Sequence, residues 1–78
     1  MSRKILAIDQ GSEIFGVTPS DTTEFDQAVL FVGTEGDVTV VARNGGTETF
    51  KDYVGWLPVQ VTQVLATGTT ATNIVGVR

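Results

Sequence analysis

From Ala28 onward the apolar residues fall in short runs and alternations, with no helical spacing of useful length. AVLFVG (residues 28–33) is a run of strand length, too short for a helix. DVTVVAR alternates, placing Val38 and Val40 on one face and Thr39 and Val41 on the other. TETF reads as a return strand, with Glu48 and Phe50 sharing a face opposite Thr47 and Thr49. In LPVQVTQVLAT, Leu57, Val59 and Val61 share a face until the alternation slips at Gln63 and Val64 takes the apolar role one residue late. A β-bulge near Thr62 and Gln63 accounts for that slip. NIVGVR supplies the last strand, with Ile74 and Gly76 opposite Val75 and Val77.

Turn residues punctuate these segments. TEGD predicts a tight hairpin turn in which Gly36 takes a positive φ. NGG, at residues 44–46, is the strongest hairpin signal in the chain. KDYVGW reads as a connection with Gly55 at a bend, and Pro58, which lacks an amide hydrogen, belongs at the start or edge of a strand. Together these predict an all-β fold: a small antiparallel β-sandwich or barrel of about five to six strands over residues 28–78.

Residues 1–27 differ in character, being polar, acidic and irregular after the first apolar patch, and they predict an extended N-terminal arm. RKILAID can form a strand, which either adds to the sheet edge of a neighbouring subunit or folds back on its own domain. At TPSDTTEF a short helical turn is one option. Pro19 would sit at its first position, and Asp21 and Glu24 have capping-box spacing.

Size sharpens this picture. With 78 residues the chain makes one domain at most. A domain so short buries only about 60% of its unfolded surface and usually needs a staple. There is no cysteine and no histidine, which rules out a disulfide and ordinary zinc ligation. Association between copies is the remaining staple, so the chain is expected to be a homo-oligomer. The net charge is −4, and the five basic residues, Arg3, Lys4, Arg43, Lys51 and Arg78, are scattered. Nucleic-acid binding wants a basic stripe, so none is expected. The apolar patch at residues 5–8 is cut by Asp9, too short for a secretory signal. No stretch approaches the roughly 20 apolar residues of a membrane span, so no membrane contact is expected and the protein is expected to be soluble.

Candidate chemistry is sparse. VLATGTTAT, residues 64–72, crowds threonines around Gly68. A phosphate loop would need a lysine and a following helix, and a threonine nucleophile would need an activating base. The segment has neither, and threonine hydroxyls bonding local backbone groups in a turn is the reading it supports. Asp21, Glu24 and Asp26 lack calcium-loop spacing and read as a solvated acidic face. Asp9 and Glu13 have nothing to position them as an acid–base pair. No catalytic, cofactor-binding or metal-ligating residue is therefore expected, and the chain is not expected to be an enzyme. Phe31 and Phe50 lie in strand patterns and are expected in the core. Trp56, beside Gly55 and between Tyr53 and Pro58, can cap its own core, anchor a contact between subunits or stack on a sugar. Ile5, Ile8, Phe15, Tyr53 and Trp56 are the candidate intersubunit contacts.

From Val29 onward the chain resembles the spike base protein family of tailed phages and phage-derived gene transfer agents. The resemblance rests on LFVGTEGDVTV, GGTETF and VGWLPVQVTQVLATGTTATNIVGV. It includes Val32 and Gly33 before the Gly36–Asp37 pair, Gly45 and Gly46 before Phe50, Gly55 with Pro58 and Val59, and the TGTTAT segment. The chain departs at Phe31, where a Tyr is common, at the bulkier Trp56, and at its Val77–Arg78 end, where an aromatic is usual. The resemblance implies a structural virion protein on the capsid surface, made in the host cytoplasm. It would form the oligomeric base of a head spike, a pentamer at vertices or a trimer at local threefolds. Its implied partners are the major capsid protein and a spike fibre protein. A capsid decoration (cement) protein and a carbohydrate- or receptor-binding spike module, with Trp56 and Tyr53 stacking and Asp52 nearby, are the alternatives.

Overall fold

The structure, a computed structural model, describes residues 13–78. The segment RKILAID, with the candidate contacts Ile5 and Ile8, lies outside the described residues. Four strands form among them: β1 (Ile14–Val17), β2 (Ala28–Ala42), β3 (Thr47–Val64) and β4 (Thr72–Val77). They make one sheet in the order β1-β4-β2-β3. β4 is antiparallel to both β1 and β2. β3 also opposes β2, because its paired residues fall from Val61 to Thr47 as those of β2 rise from Ala28 to Val41.

β2 and β3, at 15 and 18 residues, are far longer than an ordinary strand, and each changes neighbours along its length. The first part of β2 lies between β4 and residues 55–61 of β3. Its last part lies between residues 47–50 and residues 61–64 of β3, so Val40 faces both Glu48 and Val64. The sheet thus rolls its second half over its first. Its ends do not pair, and the roll stays open. The all-β expectation holds, while the count of five to six strands is corrected to four, because two expected breaks are bends within strands.

The first such bend is TEGD, where no hairpin forms. Residues 34–37 stay in β2, and Gly36 does not take a positive φ. Gly36 is needed for a close approach instead: a Cβ there would stand 2.5 Å from the Ala71 backbone nitrogen. The second is KDYVGW, which stays in β3 and bends at Asp52 (φ 51°) and Gly55 (φ 101°). Pro58 accordingly lies inside β3 rather than at its start, on the strand that forms one edge of the sheet.

Other turn signals match the structure. At NGG the chain reverses between β2 and β3. Ala42 N donates to Gly46 O at 2.7 Å, Gly46 N to Asn44 Oδ1 at 2.9 Å, and Gly45 takes φ 92°. The bulge is present as well: Val41 pairs with Gln63 and Ala42 with Val61, leaving Thr62 as the extra residue. That slip lets Gln63 and Val64 both turn inward.

No helix forms at TPSDTTEF. The Ser20 hydroxyl accepts from the amides of Thr22 (3.2 Å) and Thr23 (3.1 Å), a tight turn that competes with helix. The amides of Ser20 and Phe25 go instead to Val64 O and Thr62 O on β3. β1, within the segment expected as an arm, had no pattern to mark it. It is held by the paired backbone groups of Glu13 and Arg78 at 2.8 and 3.0 Å and by their side-chain ion pair at 2.7 Å.

The core is Leu30, Val32, Val38, Val40, Leu57, Val61, Val64, Ala71 and Ile74, all nearly sealed from solvent. Phe50 packs partly buried against it, as expected. Phe31 does not join it. It is half-buried on the opposite face of β2.

Candidate assembly surface

Strand register decides which residues share the outer face of the sheet, because residues opposite one another across strands point the same way. Phe15, Gly76, Leu30 and Leu57 lie in one such row and turn inward. The rows on either side of it are Gly16, Val75, Phe31 and Trp56 on one side and Ile14, Val77 and Val29 on the other. These point outward, and they are uncharged and nearly all apolar. Ile14 is 78% exposed and Trp56 is 56% exposed, as is Val54 nearby on β3.

Trp56 is held firmly on this face. Its ring meets Phe31 edge-on at 5.1 Å, and its carbonyl accepts the Tyr53 hydroxyl across the Gly55 bend. Tyr53 itself turns away, half-buried, with its ring edge-on to Phe50 at 5.9 Å. The two aromatics therefore do not make one flat platform. Phe15 is engaged within its own subunit, over Gly76, edge-on to Phe25 at 5.4 Å and beneath the Arg78 guanidinium at 4.5 Å.

At the open mouth of the roll, the β2–β3 hairpin and the middle of β3 leave a groove of about 280 Å³. Val40, Ala42, Phe50 and Val59 line it, with Asn44, Thr47 and Glu48 at its polar rim.

The threonine loop is a clasp. Thr69 Oγ1 accepts from Thr39 N and Thr70 Oγ1 from Asp37 N, both at 2.9 Å, while Asp37 O accepts from Thr70 N and Ala71 N. Thr67 donates from its hydroxyl (2.6 Å) and its amide (3.0 Å) to Asp21. The loop thereby ties the bend of β2 to β4 and to the segment after β1. The Thr67 hydroxyl and amide hold the Asp21 carboxyl below its ordinary range, and the Asp52 amide and Lys51 do the same for Asp37.

Sequence reasoning missed Ile14, Val29, Val54, Val75 and Val77 as surface. A signal was there, since AVLFVG and NIVGV carry apolar residues at both parities, and a strand that is apolar on both faces needs covering on both.

Fold and surface define the class: a small all-β structural module built around an outward apolar face. No family model matches the sequence, and no curated protein matches it. Among solved structures, a chain from the capsid of a native gene transfer agent particle, computed with C5 symmetry, is similar at 38% identity and a TM-score of 0.74. The match covers 87% of this chain and 83% of that one. The chain belongs with the capsid-related proteins of phages and gene transfer agents, and its role is that of a virion structural protein.

Proposed function

We propose that the chain forms the oligomeric base of a head spike, linking the major capsid protein to a spike fibre protein. The observation that carries this is the 38% match, over most of both chains, to a component of a capsid computed with C5 symmetry. A fivefold arrangement favours a pentamer at a vertex over a trimer at local threefolds. The exposed apolar face gives such a ring its motive, since a patch of this kind is an interaction site more often than free surface. Within the ring Trp56 is the subunit contact we favour, with Tyr53 supporting it from its own subunit through the bond to the Trp56 carbonyl. Residues 1–27 act as the arm toward capsid or neighbour, anchored at β1 in their own sheet. No covalent chemistry is assigned to the protein, and its mechanism is assembly.

Native mass measurement of the isolated chain at micromolar concentration tests the reading, with an oligomer of five copies as the expected result. A chain that stays single there, and is missing from a cryo-EM map of the intact particle, removes it.

A further inference from the structure

Among the described residues, the apolar face has one large protruding ring, and the groove at the hairpin has no side chain filling it. We infer that Trp56 of one copy seats in the groove between Val59 and the β2–β3 hairpin of the next copy. The inference rests on the self-assembly reading above and names the contact that performs it.

Three observations fit knob to groove. The first is size. An apolar cavity of about 150 Å³ takes a benzene ring. The groove, at about 280 Å³, has room for the two fused rings of an indole. Left to solvent, the same space holds about nine waters at ~30 Å³ each, against an apolar lining that offers them few partners. The second is chemistry. A buried indole N–H needs an acceptor, and Asn44, Thr47 and Glu48, which all carry side-chain oxygens, line the groove beside the apolar Val40, Ala42, Phe50 and Val59. The third is preorganisation. Phe31 and the Tyr53–Trp56 hydrogen bond already fix the ring and the bend that presents it, so little freedom is lost on docking.

Charge points the same way. Copies carrying −4 each repel, and an approach through an uncharged face meets the least of that repulsion. Knob and groove lie on different surfaces of the subunit, one on the outer sheet face and one at the mouth of the roll. A contact between two such different surfaces suits a head-to-tail arrangement, which makes a cyclic ring where its rotation closes.

The experiment uses the full chain, whose single tryptophan reports on its own surroundings. Trp56→Ala removes the knob. Ala42→Phe fills the groove, and Thr47→Phe blocks it from an exposed position where the fold is not at stake. On assembly the wild-type emission moves to shorter wavelength. Each variant weakens self-association by about 30-fold or more, the effect of losing an interface hot spot. In the groove variants Trp56 keeps the emission of an exposed indole. Mixing Trp56→Ala with a groove variant gives one-to-one pairs and nothing larger, because a single intact knob and groove remain. Groove variants that assemble like wild type, or a Trp56 emission unmoved by assembly, overturn the inference and leave the oligomer standing. A wild-type chain that never associates overturns the self-assembly reading and this contact with it.

Discussion

Gly36→Ala is the sharpest probe of how the roll is held. The backbone at Gly36 is not left-handed, so alanine meets no dihedral penalty. The penalty is steric. The new Cβ would sit 2.5 Å from Ala71 N, 2.6 Å from Ala71 Cα and 2.9 Å from the Thr70 carbonyl carbon. These are backbone atoms and cannot swing aside, so the threonine loop must retreat by about 1 Å to reach ordinary contact. Three hydrogen bonds cross that gap, from Asp37 N to Thr70 Oγ1 (2.9 Å) and from Thr70 N (2.8 Å) and Ala71 N (3.1 Å) to Asp37 O. Losing most of them costs about 1 kcal/mol each. The stiffer unfolded chain returns about 0.4–1 kcal/mol, leaving a net loss of about 2 kcal/mol. Urea unfolding at one fixed protein concentration reads this directly. With a slope of about 1 kcal/mol/M, the midpoint falls by about 2 M. Gly16→Ala is the control, because nothing lies within 4 Å of a Cβ there, and its stability stays within about 0.5 kcal/mol of wild type. A Gly36→Ala protein as stable as the control would refute the clasp.

Gly68→Ala meets both penalties, a φ of 93° and a Cβ 2.5 Å from Thr39 Oγ1, and is expected to cost about 1–2 kcal/mol by the same urea assay. The lowered carboxyl values of Asp21 and Asp37 make a pH prediction. Their folded values lie below the unfolded value of about 3.9, so their stabilisation is complete above that pH and is lost as pH falls through the folded values. Melting temperature followed from neutral to acid pH should therefore drop below about pH 4, and the double variant Asp21→Asn, Asp37→Asn should flatten that drop.

Much of the fold was legible because local chemistry dictated it. NGG forces the reversal, since Gly45 takes a φ that L-residues avoid. The slip at Gln63 forces a bulge, since period-two alternation cannot otherwise bury both Gln63 and Val64. TEGD misled because two unlike needs select glycine. It frees φ in a turn, and it clears space where another strand passes, and only the tertiary neighbour Ala71 tells the two apart. β1 was illegible for a related reason. IFGV is four residues with Ile14 pointing outward, and its stability comes from β4 and from the Glu13–Arg78 pairing, which bridges opposite ends of the described chain. Trp56 was visible as a candidate anchor, but its company was not. The face it shares with Phe31 and Val75 exists only once three strands are in register.

That face follows from the topology itself. A two-layer sandwich hides one face of each sheet, and a closed barrel hides its interior, but an open roll of four strands has material for only one covered side. β2 and β3 spend their length doubling back over Leu30, Val32 and Leu57, and among the described residues the same doubling leaves Ile14 exposed and Val29, Phe31, Val75 and Val77 only partly covered. A soluble lone domain would place threonine, lysine or glutamate at such positions, as β3 does at Thr47, Thr49 and Lys51 on the far edge. Valine, isoleucine and tryptophan there lower the solubility of a single copy and contribute only when another surface covers them. In a chain with neither disulfide nor histidine to staple it, the residues that weaken the solitary subunit are the ones that would strengthen the assembly proposed above.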